Sequence, residues 1–117
     1  MENMFDTICA IATPLSAGSI GIIRISGEKS FEIIEKIFSR KIKPEMINHG
    51  WIIDNKTGQK LDEVIVLPFK NPKSFTGEDV IEIQTHGSPV IIREILNLVL
   101  ENGAKLAQRG NLPKERF

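Results

Sequence analysis

Apolar positions along the chain switch between two periods. Thr7 to Thr13 and Ser19 to Ser26 are β-rich, and the small-residue link Pro14-Leu15-Ser16-Ala17-Gly18 separates them into two predicted strands. Ile20, Ile22, Ile23 and Ile25 fall on both faces of the second strand, which predicts a central place in a sheet. The period then lengthens. Gly27 to Ser39 carries Phe31, Ile34, Ile37 and Phe38 at the spacing of one helix face, with Ser26 or Gly27 available as N-cap.

Lys41 to Asn48 is a polar connection. Trp51-Ile52-Ile53 and Glu63 to Phe69 then read as strands flanking the turn-rich Asn55-Lys56-Thr57-Gly58, and a hairpin is the simplest arrangement. Pro68 and Pro72 are expected to end the second of these strands, and Lys73 to Asp79 forms an exposed loop. Val80 to His86 alternates clearly. Gly87 breaks that strand, Ser88 can N-cap, and Pro89 suits the first helical position. Ile92, Ile95, Leu96 and Val99 recur at helical spacing until Asn102-Gly103. A short last strand fits Ala104 to Ala107. The elements predict an α+β domain: one mixed β-sheet of about five strands with two main helices. From Gln108 onward periodicity is lost, so residues 1–107 are expected to form the folded unit and 108–117 a tail or point of truncation.

Composition narrows the function classes. A chain of 117 residues suits a single core, and a 41% hydrophobic, 26% charged content is that of a globular protein. Fifteen basic and fifteen acidic residues cancel, which removes the long-range attraction that a dedicated nucleic-acid or anionic-membrane binder uses. The lone Cys9, in the apolar run Ile8-Cys9-Ala10-Ile11-Ala12, excludes an internal disulfide and reads as a small core residue in a reducing, cytoplasmic setting. No run approaches the roughly 18 apolar residues of a membrane span, and the acidic start Met-Glu-Asn-Met-Phe-Asp is unlike a basic leader.

Two residues stand against the pattern. Arg24 is a permanent cation within Ile22-Ile23-Arg24-Ile25, where it needs a carboxylate, carbonyls or a ligand; otherwise it lies at a strand end where its side chain reaches water. Glu82 shares a face with Val80, Gln84 and His86, opposite Ile81 and Ile83. That face is either solvated or lines a pocket in which the carboxylate accepts hydrogen bonds near the helix start at Ser88. Other chemistries have weaker footing. His49, His86 and Cys9 lack metal-ligand spacing, and Asp79, Glu82 and His86 could form a hydrolytic set only without a G-x-S-x-G elbow. The dipeptide Gly-Lys does not occur, so the phosphate-cradling G-x-x-x-x-G-K-[ST] is absent from this sequence.

Two blocks are long and unusual: D-T-I-C-A-I-A-T-P-L-S-A-G-S-I-G-I-I-R-I-S-G from Asp6 to Gly27, and S-F-T-G-E-D-V-I-E-I-Q-T-H-G-S-P from Ser74 to Pro89. Together with Gly103-Ala104-Lys105-Leu106-Ala107 they resemble the amino-terminal domain of bacterial tRNA-modification GTPases of the MnmE (TrmE) type. The resemblance implies a folate-binding and dimerisation domain over 1–107, with a fold similar to folate-binding domains of aminomethyltransferase type. Its ligand would be 5-formyl-tetrahydrofolate or a related folate, with Arg24 and Glu82 in the place of the family's folate contacts. It further implies a homodimeric, cytoplasmic parent that acts on the wobble uridine of tRNA at C5 with an FAD protein of MnmG type. GTP, Mg and K would belong to a G domain elsewhere in that parent, so this chain alone would be no enzyme. After Gln108 the chain departs from the family's P-G-E-F-T-K-R-A-F and L-N-G-K, whose lysine is a folate contact.

Overall fold

A computed structural model describes residues 6–12, 20–71 and 77–107. The strands β1 (Ile8–Ile11), β2 (Ile20–Ser26), β3 (Asn48–Ile53), β4 (Lys60–Phe69), β5 (Val80–His86) and β6 (Lys105–Leu106) form one six-stranded sheet in the order β3-β4-β5-β2-β1-β6. Every pair is antiparallel except β1 with β6, so the sheet is mixed as expected. Helices α1 (Ser30–Ile37) and α2 (Pro89–Glu101) lie together on one face. The links at 13–19 and 72–76 and the segment from Gln108 fall outside the described residues.

Alternation sorts each strand onto two faces. Cys9, Ile23, Ile25, Val64, Val66, Ile81 and Ile83 point to the helices and make the core with Ile33, Ile34, Ile37, Ile92, Ile95, Leu98 and Val99. Each such side chain stabilises the fold by about 1.5–3 kcal/mol on leaving water. β2 is central, between β5 and β1, and α2 comes down on it at Gly21, where a Cβ would stand 2.4 Å from Ile92 Cδ1.

Several boundaries differ from the pattern. α1 begins at Ser30, not Gly27, and has no side-chain cap of its own. Thr7 Oγ1, from the residue before β1, accepts the Lys29 N–H at 2.9 Å. Ser26 is the last residue of β2 and Gly27 (φ 141°) turns the chain, so neither caps the helix. Ile33 joins Ile34 and Ile37 inside, whereas Phe38 lies beyond the helix and bridges to Ile52. In α2 Leu98 is buried and Leu96 only partly so. β3 starts three residues before Trp51 and β4 three before Glu63. Pro68 does not end β4: it pairs with Ile81, past the point where β3 stops opposite Val66, an edge position that tolerates a missing N–H.

The start of α2 follows the expectation. Ser88 N-caps it, accepting from Ile91 N at 3.5 Å, Pro89 opens the first turn, and Asn102 and Gly103 (φ 123°) close it.

Candidate functional site

The face opposite the helices carries the chemistry. Register places Leu67, Glu82, Arg24 and Ala10 side by side across β4, β5, β2 and β1, with Ile65, Gln84 and Ile22 in the next row. Glu82 is 7% exposed although both described helices lie on the other face. A carboxylate so far out of water requires partners, and two are present. Arg24 Nε donates to Glu82 Oε1 at 3.0 Å and Gln84 Nε2 donates to Oε2 at 3.0 Å.

The two residues singled out in the sequence therefore meet, 58 positions apart, because β2 and β5 pair with Arg24 directly opposite Glu82. Arg24 keeps its head at the rim, its side chain 36% exposed, so the guanidinium both neutralises the carboxylate and touches water. An ionised carboxylate has about four acceptor positions. The two bonds use one on each oxygen, which among the described residues leaves one on each for an incoming pair of donors.

A second carboxylate was not foreseen. Asp62 is 7% exposed, and both of its oxygens are aimed at His86: Oδ2 accepts the His86 peptide N–H at 2.9 Å and Oδ1 meets Nδ1 at 2.6 Å. The signal was readable, since Asp62 precedes Val64 and Val66 on the core-facing side of the same alternation. His86 itself projects outward, its side chain 67% exposed, beside a depression of about 270 Å³ bordered by Ile20, Ile65, Gln84 and His49. A further depression of about 290 Å³ lies beyond Leu67, against Met46, Ile47 and Phe69. Leu67, in the Glu82 row, lines the second of them, and Gln84 and Ile65, in the next row, line the first.

Asp79 is not part of this set. It precedes β5 while His86 ends it, and its groups are used structurally: the carbonyl accepts Gly27 N–H and Ser30 Oγ, and Oδ1 accepts Asn71 N–H. Glu78 likewise holds Ser26 Oγ at 2.7 Å. A hydrolytic set from Asp79, Glu82 and His86 is not assembled. Cys9 is fully buried in the core, as expected.

The family model described as GTP-binding protein TrmE N-terminus matches residues 7–117. The chain belongs to the TrmE N-terminal family. It is similar to proteins named tRNA modification GTPase MnmE from Streptococcus mutans, 51% identical over 121 residues, from Streptococcus pneumoniae strain R6, 50% over 117, and from Thermotoga sp. strain RQ2, 44% over 114. These alignments take in 100%, 97% and 96% of this chain but 26%, 26% and 25% of the relatives. The chain thus corresponds to about a quarter of an MnmE-type protein, its amino-terminal domain. Among the described residues no helix is long and apolar enough to cross a membrane.

Proposed function

We propose that this TrmE N-terminal domain binds 5-formyl-tetrahydrofolate or a related folate on the sheet face opposite its helices, and that it pairs two copies of its parent. The observation that carries the reading is Glu82: a buried carboxylate, steadied on both oxygens, with an acceptor position on each that no described residue takes. A pterin edge presents an amino group beside a ring N–H, and one carboxylate takes both in a bidentate, charge-assisted pair. Arg24 stays on the carboxylate and holds Oε1 in place for that purpose. The relatives' names supply the wider setting, a tRNA-modification GTPase. In that setting the parent acts in the cytoplasm on the wobble uridine with an FAD protein of MnmG type. GTP, Mg and K then belong to its G domain, and the present domain contributes ligand binding and pairing without turnover of its own.

Isothermal titration of the 117-residue chain with 5-formyl-tetrahydrofolate, with light scattering on the same sample, tests both halves. Micromolar binding to a dimer is expected, with loss of about tenfold or more in affinity for Glu82→Gln and Arg24→Ala. Equal binding by wild type and both variants would remove the site assignment. A second reading, pairing without ligand, draws on the exposed Ile20, Ile47, Ile65 and Leu106. A folded dimer that takes up no folate would favour it, whereas turnover of a tetrahydrofolate donor by this chain alone would favour a free-standing one-carbon transferase.

A further inference from the structure

The Asp62–His86 pair is not used by the reading above, and its geometry is specific. On β4 the ladder to β5 ends at Ile65 opposite Gln84, and the partner strand β3 shifts register between Ile52 and Ile53, opposite Asp62 and Lys60. Where the backbone bonds stop, the Asp62 carboxylate replaces them, holding the His86 peptide N–H through one oxygen and the ring through the other. With the carboxylate ionised, the 2.6 Å contact puts the ring proton on Nδ1. In the neutral ring Nε2 is then the acceptor nitrogen, on a side chain that is 67% exposed beside the 270 Å³ depression.

His86 also follows Glu82 and Gln84 along β5, two rows from Glu82. Residues 82, 84 and 86 project on one face of β5, and four residues of strand span about 13 Å. Along that distance lie a carboxylate, then Gln84 flanked by Ile65 and Ile22, then the imidazole acceptor. An elongated ligand fits this sequence of surfaces: paired N–H donors at one end, a flat apolar middle and a further donor. The depression is also lined by Glu63, paired with His49 Nε2 at 3.2 Å. A carboxylate against the imidazole and another in the lining make this end unwelcoming to anions.

We propose that His86 Nε2, oriented by Asp62, is a second ligand contact that accepts the amide N–H joining the aminobenzoyl ring of a folate to its glutamate. The inference rests on the folate reading of Glu82. It adds that the aminobenzoyl ring lies over Ile22, Gln84 and Ile65, and that the glutamate carboxylates point away from Glu63 into solvent. His86 is here a binding residue and Asp62 a positioning residue.

The test is titration of the full chain with 5-formyl-tetrahydrofolate and, separately, with a 5-formyl-tetrahydropterin that lacks the aminobenzoylglutamate. His86→Ala is expected to weaken the complete folate about five- to tenfold and leave the pterin unchanged, whereas Glu82→Gln weakens both. Asp62→Ala should act as His86→Ala does, and nitrogen NMR of the imidazole should show the Nδ1–H form in wild type and a mixture of tautomers in the variant. His86→Gln, which returns an acceptor to that position, should recover part of the loss. Wild-type and His86→Ala chains that bind complete folate equally would overturn the second contact while leaving Glu82 in place. A wild-type chain that binds neither compound would overturn both readings.

Discussion

Glu82 and Arg24 illustrate how much of a site one residue type can disclose. Each was conspicuous because it broke an apolar pattern, and each proved to be the other's partner. Arg24→Ala removes one side of the arrangement and leaves a buried carboxylate supported by Gln84 alone among its described partners. A fully buried pair would lose about 3–5 kcal/mol on such a cut. Because Arg24 is about one third exposed, water takes over part of its role, and urea denaturation should show a loss of about 1–2 kcal/mol. Glu82→Gln keeps the shape and removes the charge, so it should unfold within about 1 kcal/mol of wild type while losing ligand. That separation distinguishes a site from a structural ion pair. Asp62 was as legible in principle, an acid at an inward position of an alternating strand, but its target could not be read. His86 ends β5, and only the way the strands part beyond Gln84 brings its peptide and ring to the same carboxylate.

The elements are held at their ends by groups distant in sequence. α1 borrows its cap from Thr7, and Thr7→Val, which keeps the shape and removes the acceptor, should cost about 1–2 kcal/mol in a denaturant titration. Gly27 must turn the chain at φ 141° while its α-carbon faces Thr7, whose Cα would stand 2.6 Å from any added Cβ. Gly27→Ala should therefore destabilise by about 2 kcal/mol or more, through strain that no side-chain movement relieves. At the other end of the sheet the β3–β4 turn is fastened to the end of α2 by Asn55 with Asn102 and by Lys56 with Glu101. The hydrogen bond to Glu101 raises the Lys56 ammonium above its ordinary 10.5, against an opposing effect of desolvation, and the charges of Glu101 and Asp54 add to the rise. A raised cation contributes fully below its unfolded value and loses that contribution as pH rises through the folded one. The difference in Tm between wild type and Lys56→Ala should accordingly stay constant from neutrality to about pH 10 and vanish above it. The free edge of β3 is also managed: Ser39 N–H donates to Trp51 O, Ser39 Oγ accepts Trp51 N–H, and Arg40 donates to His49 O. Those bonds occupy groups that would otherwise invite another strand.

At the scale of the molecule, one core joins both helices to all of the long strands, so the domain should unfold as a unit. Ile83, fully buried at the centre of the sheet, is the sharpest probe: Ile83→Ala should cost about 2–5 kcal/mol, a large share of the stability of a domain this size, with the melting curve still cooperative. The opposite face is where function is proposed, and its character is mixed, with exposed Ile20 and Ile65 near buried Glu82. By itself the sequence determined the α+β class, the order of its elements, both helices to within three residues at each end, the family, and the two residues at the centre of the candidate site. Those properties are carried by local periodicity, by turn residues and by charges out of register with their surroundings, all of which are written along the chain. Tertiary structure decided what the chain alone could not: that Arg24 faces Glu82, that Thr7 caps a helix more than twenty residues away, and that Asp62 meets both the peptide and the ring of His86. Each depends on which strands become neighbours and in what register. That choice is made by burying the whole apolar set at once, and no short window of sequence contains it.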